Sequence, residues 1–507
     1  MLVLHRTVVA AAVVVLCAAS AVAADTALPP VRIEQGLVAG TSRDGVNRFF
    51  GIPYAAAPVG NLRWRAPEPV APWDGVKDAS AFGPVCRQTV NWIKEPQSED
   101  CLRINVWAPA KPGKYPVMVW IHGGGFRGGS GSQMGPDAGN GIVAKDVILV
   151  SINYRLGVLG FFAHPELSAE SPDHGSGNQA IRDQIAALKW VQKNIAAFGG
   201  DPSRVTIFGE SAGGSSVALL TMSPLAKGLF HRAIAESGAA DKLADQTAEE
   251  KRGETFAKAQ GAAHLADLRS LDVEKLIKAD WQPNVAKDGA ALTDEMAPSY
   301  AAGRHGAVPM MTGWNADEGN DLAPEMTGGK PFTVALYNEV MKSIFGPQMP
   351  PPIAQIYPGR TDAEAKASLY RLSTDGMGFA AYRWATLQAN AKAAPAYVYY
   401  FIHWPAEPLT PCGYGCKAGH GAEIRFAFDQ LFMDKRAWTA EDVRIADQMV
   451  RYWTNFAKTG DPNGDGLPKW KVFDGTPPSV LVIGSEDEIK VRGTFPDFRP
   501  FLSLVLQ

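Results

Sequence analysis

Six short runs of nearly uninterrupted apolar residues constrain the fold of this chain more than any other feature. Each run is bounded by turn residues or by a stretch with helical periodicity. Because strands that are apolar on both faces are typical of buried parallel sheets, the runs predict the central strands of one sheet. The runs are YPVMVWIHGGG (115–125), DVILVSINYR (146–155), VTIFGES (205–211), HRAIAESG (231–238), VPMMTGW (308–314) and AYVYYFIHW (396–404).

A helical pattern lies between the second and third runs. Apolar residues recur at helical spacing from Ile181 to Ile195, and the pattern stops at Gly199-Gly200. Upstream, residues 31–55 predict a strand pair that turns at Asp44-Gly45. Strands joined by such helices predict an α/β fold with a large, mostly parallel sheet and helices on both faces. No linker or repeat divides the chain, so we expect one domain over residues 24–507, with insertions.

The first 23 residues have the pattern of a secretion signal. A short basic stretch precedes an apolar run that is too short to span a membrane, and Ala21-Val22-Ala23 fits a signal peptidase site. We therefore expect an exported protein, periplasmic or secreted. Cys17 lies inside the signal, and the four cysteines that remain favour two disulfides in an oxidising compartment.

Charge and hydropathy exclude several classes of partner. The formal net charge is −3, which provides no basic footprint for nucleic acid. After the signal, no apolar stretch approaches the roughly 20 residues of a membrane span. The expected partner is a small molecule, and the oligomeric state is left open.

A candidate nucleophile stands at the end of a predicted strand. Residues 209–214 read GESAGG and match G-x-S-x-G, with Ser211 in the strand-to-helix setting that this motif requires. Glycines on either side let the chain turn sharply enough to lift the serine out of the sheet. The alternative is a glycine-rich turn that contains an incidental serine.

A second glycine run, residues 122–126 with the sequence HGGGF, ends an earlier strand. Such a run leaves backbone N–H groups free to stabilise the oxyanion of an ester reaction. The N–H of Ala212, directly after the serine, is a further donor. The run lacks the lysine and hydroxyl residue of a P-loop, which argues against a phosphate site.

The remaining members of a triad follow in chain order. Among the nine histidines, His420 lies in a glycine-rich loop after the last predicted central strand. Folds with a G-x-S-x-G nucleophile turn place their catalytic base there. The acid must come between serine and histidine, and Asp317 and Glu318 both follow the strand that ends near residue 314. Position alone does not choose between them.

The loop before His420 contains Cys412 and Cys416. A metal site needs more ligands than two cysteines and a histidine already used in catalysis, and a redox centre normally has C-x-x-C spacing. Gly413 and Gly415 allow the backbone to fold tightly between the two cysteines. We therefore predict a Cys412–Cys416 disulfide that stiffens the His420 loop.

Taken together, these segments resemble the type-B carboxylesterase and cholinesterase family of α/β-hydrolases. The resemblance implies the α/β-hydrolase fold and a serine esterase that needs no metal or organic cofactor. It also implies Ser211 as nucleophile, Glu318 rather than Asp317 as acid, and His420 as base. Gly124, Gly125 and Ala212 would form the oxyanion hole. The resemblance rests on FFGIPYAAAPVGNLRWRAPEP (49–69), SEDCLRINVWAP, HGGGF, NYRLGVLGF, GNQAIRDQIAALKWVQKNIAAFGGDPSRVTIFGESAGG, GWNADEG and TGDPNG (459–464).

The same resemblance implies further roles. Glu210 would be a buried structural acid, and Cys86 would pair with Cys101 to close a loop near the gorge. Trp92 lies in that loop, roughly where cholinesterases present an aromatic ring to a cationic substrate. The loop is shorter here, so plain packing of Trp92 is the alternative.

Arg127 directly follows the predicted oxyanion loop. A guanidinium binds carboxylates bidentately, so Arg127 is a candidate for binding an acyl group that carries a free carboxylate. Fumonisin-type tricarballylate esters, which bacterial esterases of this family hydrolyse, are substrates of this kind. The alternative is an arginine paired with a neighbouring acid.

Two other functions remain to be weighed. A lipase acting on acylglycerols calls for a long apolar lid, which the sequence does not display. A non-catalytic binding protein of this fold lacks triad residues, whereas Ser211, Glu318 and His420 are all present.

Overall fold

A computed structural model describes residues 24–240, 242–405, 417–433, 436–492 and Phe498. The predicted signal peptide and the predicted Cys412–Cys416 disulfide lie outside the described residues. Among the helices that are described, none is long and apolar enough to cross a membrane.

The described chain is built around an 11-stranded sheet. Numbered along the chain, its strands lie in the spatial order β1-β2-β3-β4-β6-β5-β7-β8-β9-β10-β11. The strands are β1 (Thr26–Ala27), β2 (Thr41–Arg43), β3 (Val46–Pro53), β4 (Arg103–Pro109), β5 (Tyr115–Ile121), β6 (Ile148–Ile152), β7 (Gly200–Glu210), β8 (Arg232–Glu236), β9 (Met310–Asn315), β10 (Ala396–Phe401) and β11 (Val480–Ile483).

The sheet is parallel over most of its width. Every neighbouring pair from β6 across to β11 is parallel. The pairs from β1 to β4, and β4 with β6, are antiparallel and form one edge. The six apolar runs of the sequence correspond to β5–β10, so the prediction of buried, parallel central strands is confirmed.

The predicted turn at Asp44-Gly45 is also confirmed. Arg43 pairs with Val46 in the β2–β3 hairpin, and the two turn residues have φ of 53° and 77°. Residues 31–39, however, form a separate hairpin with its own turn at Glu34-Gln35. This second turn was missed because it contains neither glycine nor asparagine, the residues that mark tight hairpin turns.

Helices cover both faces of the sheet. They are α1 (Asn140–Val143), α2 (Gly157–Gly160), α3 (Pro165–Glu170), α4 (Gln179–Asn194), α5 (Ala212–Met222), α6 (Gln246–Ala259), α7 (Leu265–Ser270), α8 (Val273–Lys278), α9 (Met296–Ala301), α10 (Gly319–Met326), α11 (Val334–Phe345), α12 (Pro351–Ile356), α13 (Asp362–Ala391), α14 (Ile424–Ala427), α15 (Ala440–Thr459) and α16 (Glu486–Arg492). The predicted helix is α4, whose last residues continue as a 3-10 turn that ends at Gly199 with φ of 84°.

Alternation along β5 explains why both faces need helices. Val117, Val119 and Ile121 pack in a core that includes residues of α4, α5 and α13. Met118 and Trp120 point to the opposite face and pack in a core that includes residues of α1 and α15. Because side chains alternate along a strand, a strand that is apolar at every position must be covered on both sides.

The carboxyl ends of the parallel strands bring the predicted site residues to one edge. The HGGGF run follows β5, Ser211 follows β7 and Glu318 follows β9. His420 lies in the segment after β10. Parallel strands that end at the same edge place these loops side by side.

Candidate active site

Ser211 stands at a sharp turn between β7 and α5. Its φ of 57° and ψ of −121° lie outside the favourable regions for a residue with a side chain. Its N–H donates to the Glu236 carbonyl oxygen at 2.8 Å, which holds the turn against β8. A Cβ at Gly213 would lie 2.0 Å from the Ile121 carbonyl oxygen, so only glycine permits this approach. The turn presents the serine hydroxyl at the edge of the sheet.

The imidazole of His420 bridges the serine and a carboxylate. Its Nε2 lies 2.8 Å from Ser211 Oγ, and its Nδ1 lies 2.5 Å from Glu318 Oε2. The side chains of His420 and Glu318 are buried. The structure therefore brings the three predicted residues into one hydrogen-bonded chain.

The two candidate acids face different partners. Glu318 accepts from His420 through Oε2, and through Oε1 from the Ser237 hydroxyl at 2.6 Å and the Asn315 N–H at 2.8 Å. Asp317 accepts from the Trp404 indole N–H at 2.9 Å and from the Ala418 N–H at 3.2 Å. Of these two acids, Glu318 is the one that contacts the imidazole.

The segment that follows β9 also holds the backbone of the His420 loop. The Asp317 N–H donates to the Ala418 carbonyl at 2.8 Å, and the Asn315 amide donates to the Gly419 carbonyl at 2.8 Å. Asp321 accepts from the His420 N–H at 2.9 Å. Sequence reasoning missed the roles of Asn315 and Asp321. Their only signal was proximity to Glu318 in the chain.

The HGGGF run lies against the serine. A Cβ at Gly123 would come within 3.1 Å of Ser211 Cβ. Gly124 and Gly125 have φ of 103° and 61°, the left-handed region that favours glycine. Among the described residues, no acceptor is found for the N–H groups of Gly124, Gly125 and Ala212. Three donors beside the serine are thus available to a ligand.

Buried carboxylates surround the imidazole. Glu210 Oε1 lies 3.2 Å from His420 Nε2, and burial raises the pKa of Glu210 to about 7. Burial alone would lower the pKa of His420, but the neighbouring carboxylates of Glu210 and Glu318 raise it to about 10. Burial also raises the pKa of Glu236 to about 8 and that of Glu423 well above its usual range. Glu210, implied to be a buried structural acid, is therefore within reach of the imidazole.

Arg127 is exposed in the glycine loop, residues 122–129, which begins with the HGGGF run. Its guanidinium donates to the side-chain oxygen of Gln282, a neutral partner. Among the described residues, the guanidinium of Arg127 bonds this neutral amide, and no carboxylate forms an ion pair with it. The arrangement leaves the positive charge of Arg127 without a neutralising acid in this part of the chain.

Trp92 and the two disulfide cysteines lie on the loop between β3 and β4. Trp92 is 50% exposed, so its indole is not part of the packed core. Cys86 and Cys101 form a disulfide with a Cα–Cα distance of 4.9 Å, as the resemblance implied. Within the described residues, no group of His, Cys, Asp and Glu side chains is arranged to hold a metal ion.

A family model for the carboxylesterase family matches residues 27–497. The chain belongs to the carboxylesterase family. Fumonisin B1 esterase of Sphingopyxis macrogoltabida is 35% identical to this carboxylesterase over 464 residues, which cover 87% of this chain and 84% of the relative. Para-nitrobenzyl esterase of Bacillus subtilis (strain 168) is 35% identical over 489 residues, covering 91% and 96%.

Solved structures agree with this assignment. A thermophilic PNB esterase superimposes on this carboxylesterase with a TM-score of 0.79 and 34% sequence identity, covering 90% of this chain and 96% of that one. The α/β-hydrolase fold that the sequence predicts is thereby confirmed. The protein is a carboxylic ester hydrolase.

Proposed function

We propose that this carboxylesterase hydrolyses esters through a Ser211–His420–Glu318 triad and an acyl-enzyme intermediate. The observation that carries the proposal is the continuous hydrogen-bonded chain from Ser211 Oγ through both imidazole nitrogens to Glu318 Oε2. The two distances match those of a nucleophile, a base and an orienting acid.

Each residue has one role in the proposed reaction. Ser211 Oγ attacks the ester carbonyl carbon while His420 Nε2 accepts the hydroxyl proton. Glu318 holds the Nδ1–H and stabilises the imidazolium that forms. The imidazolium then returns the proton to the departing alkoxide, and the acyl group remains on Ser211. Water attacks the acyl-enzyme in the same way and releases the acid.

The N–H groups of Gly124, Gly125 and Ala212 would bind the oxyanion of each tetrahedral intermediate. Their lack of acceptors among the described residues supports this role. Donors aimed at such an oxygen are worth roughly 3 to 4 kcal/mol each in the transition state. The close approach of Gly123 to Ser211 places the run next to the reacting carbon.

For the substrate, we propose esters whose acyl part carries a free carboxylate, such as the tricarballylate esters of fumonisin type. Arg127 follows the oxyanion loop, is exposed, and is bound to a neutral amide rather than an acid. A relative that is 35% identical is named fumonisin B1 esterase. Trp92, half exposed on the disulfide loop, is proposed as a further wall of the substrate site.

Export through residues 1–23 is proposed on the sequence pattern, and the Cys86–Cys101 disulfide is consistent with an oxidising compartment.

A panel of nitrophenyl esters that differ in acyl length and acyl charge tests both proposals. Ser211→Ala is expected to lower kcat on the order of a million-fold, as loss of a triad nucleophile does elsewhere. Retained turnover by the pure variant would refute the triad.

Arg127→Ala is expected to raise KM for esters with an acyl carboxylate and to leave neutral esters within about twofold, because the charge pair forms only with the former. Gln282→Ala, which removes the partner of Arg127 but not the charge, is the matched control. Equal effects of Arg127→Ala on both ester classes would contradict the substrate proposal.

A further inference from the structure

The loop closed by the Cys86–Cys101 disulfide folds back onto the glycine loop and the residues that follow it. Val90 lies against Gly128, and Glu95 accepts from the Ser130 hydroxyl at 3.1 Å. The amide of Gln88 bonds both backbone groups of Gly129. Gln88 Nε2 donates to the Gly129 carbonyl at 3.0 Å, and the Gly129 N–H donates to Gln88 Oε1 at 2.8 Å. Gln88 is 6% exposed, so water does not compete for these bonds. These two hydrogen bonds have the pattern that joins two β-strands, except that the side-chain amide of Gln88 takes the place of one backbone.

Gln88 is itself fixed from its own side. Its Nε2 also donates to the Cys86 carbonyl at 2.9 Å, and its backbone N–H donates to Gln97 Oε1 at 2.9 Å. Two short strands, Val85–Cys86 and Gln97–Ser98, pair beside the disulfide. The amide is therefore anchored to a covalently closed, hydrogen-bonded base.

Gly129 in turn is packed against the start of the glycine loop. It has φ of 109°, and a Cβ there would lie 2.3 Å from His122 Nδ1. Between these two residues the chain closes into a turn, since the N–H groups of Arg127 and Gly128 both donate to the Gly124 carbonyl at 3.0 Å. The peptide that carries this carbonyl also carries the Gly125 N–H. A shift of Gly129 is thus passed to the proposed oxyanion donors, Gly125 and Gly124, over four and five residues.

Other anchors of this segment lie before and after Gly129. The Phe126 carbonyl accepts from the Gly157 N–H at 2.8 Å. The Gly131 N–H donates to Asn153 Oδ1 at 2.8 Å, and the Gly131 carbonyl accepts from the Ser151 hydroxyl at 2.5 Å. No other side chain of the described residues bonds the backbone of residues 124–129. His122 Nδ1 lies 2.9 Å from the Gly123 carbonyl oxygen, on the peptide that carries the Gly124 N–H, so Gln88 supports the same turn from its other end.

We propose that Gln88 is a positioning residue for the oxyanion hole, which holds Gly129 so that the Gly124 and Gly125 N–H groups point at the oxyanion. This inference rests on the proposed function. Gln88 touches neither the substrate nor Ser211. It acts on the transition state through the backbone, where a displacement of 1 Å costs roughly a hundredfold in rate.

The test compares Gln88→Met with Gln192→Met. The first variant keeps the length of the side chain and removes both bonds to Gly129. The second removes two hydrogen bonds to the backbone carbonyls of Pro202 and Leu229 and lies outside the disulfide loop. Both are assayed per active serine, counted by the end point of organophosphate labelling, so that a change in folded fraction does not enter kcat.

We expect Gln88→Met to lower kcat by about tenfold to a hundredfold with KM within about twofold, because ground-state binding does not use the oxyanion donors. The affinity for a trifluoromethyl ketone, which forms a tetrahedral adduct with serine, should fall by the same factor. Gln192→Met should leave both quantities within about twofold. Equal kcat for the two variants, or a loss in Gln88→Met that appears in KM alone, would overturn the proposal.

A second variant covers the case in which Gln88→Met does not fold. Gln88→Asn keeps the amide but shortens the reach by one methylene, so kcat should fall between wild type and the methionine variant. Wild-type kcat in Gln88→Asn would contradict the proposal. Failure of the triad itself is seen separately, because wild-type enzyme would then form no adduct with the ketone and Ser211→Ala would keep its turnover.

Discussion

Glu318 and Asp317 are neighbours in the chain, yet their carboxylates accept from different donors. Glu318 is buried and its oxygens accept from His420, Ser237 and the Asn315 N–H. Asp317 accepts from the Trp404 indole and the Ala418 N–H. Successive residues of a turn direct their side chains apart, so one acid serves the imidazole and the other serves the loop that carries it.

Glu318→Gln is expected to lower kcat by about ten-thousandfold, because an amide cannot stabilise the imidazolium and favours the wrong tautomer. Asp317→Asn keeps an acceptor for the Ala418 N–H and should retain most activity. Steady-state kinetics of both variants check this. If the two losses were exchanged, the assignment of the acid would be wrong.

In the proposed mechanism, Glu210 influences the pH below which His420 is protonated and cannot act as the base. An ionised Glu210 favours the protonated imidazole and helps to raise the pKa of His420 to about 10. Glu210→Gln removes this attraction, so the pKa of His420 should fall. The unprotonated base then exists at lower pH, and the acid limb of the kcat/KM profile should move to lower pH. A shift of the limb to higher pH would contradict this account.

At the scale of elements, sequence reasoning placed strands better than contacts between loops. The runs that became β5–β10 could be predicted because apolar residues on both faces have few other solutions. The acid could be named only through family resemblance, since the chain order of Asp317 and Glu318 carries no side-chain direction. Gln88 and Asp321 could not be predicted, because their partners Gly129 and His420 lie on other loops and only the folded sheet brings them together.

His403 joins three elements at the end of β10. Its Nε2 lies 2.9 Å from Asp442 Oδ1 near the start of α15, and its Nδ1 lies 3.1 Å from Glu488 Oε2 on α16. Burial alone would lower the pKa of His403, but hydrogen bonds with Glu488 and Asp442 raise it. Burial would raise the pKa of Glu488, yet its hydrogen bonds from His403 and the Trp404 N–H lower it to about 2.

These shifts define a pH window for stability. Because folding raises the pKa of His403, the protonated imidazole stabilises the folded state. This stabilisation is complete below the pKa of the unfolded chain, about 6.5, and is lost as the pH rises through the pKa of the folded protein. Because folding lowers the pKa of Glu488, the ionised carboxylate also stabilises the folded state. This stabilisation is complete above the pKa of the unfolded chain, about 4, and is lost as the pH falls through the pKa of the folded protein. The contribution is therefore largest between about pH 4.5 and 6.5.

We expect His403→Gln to lower Tm more at pH 5.5 than at pH 9. His264→Gln is the matched control, since the His264 side chain pairs with Glu166 but is 74% exposed, and exposed pairs contribute little. Thermal unfolding of both variants at the two pH values measures the difference. A pH-independent loss in His403→Gln would rule out the ionic contribution.

At the scale of the whole molecule, the Cys86–Cys101 disulfide closes a loop that contacts the glycine loop of the proposed site. The bridge closes a loop with a sequence separation of 15, for which the lost chain entropy of the unfolded state is worth roughly 3 kcal/mol. The closed loop also carries Gln88 to Gly129. The bridge therefore contributes to stability and to loop geometry at once.

Cys86→Ser/Cys101→Ser is expected to unfold at lower urea concentration, by an amount that corresponds to about 3 kcal/mol. Its kcat per labelled serine should also fall, because the base that anchors Gln88 is loosened. Urea unfolding and kinetics of the wild type before and after reduction provide the control. An unchanged kcat in the folded double variant would show that the disulfide does not support the geometry of the glycine loop.

The distances along the chain between the proposed triad residues have a consequence for synthesis. Ser211 and His420 are 209 positions apart, and Glu318 and His420 are 102 apart. The proposed base, His420, is made only after β10, and its loop is held by Asn315 at the end of β9. A chain that is still being synthesised therefore carries Ser211 without its proposed base. In the proposed mechanism, hydrolysis waits until the segment after β10 has been made and has folded against the sheet.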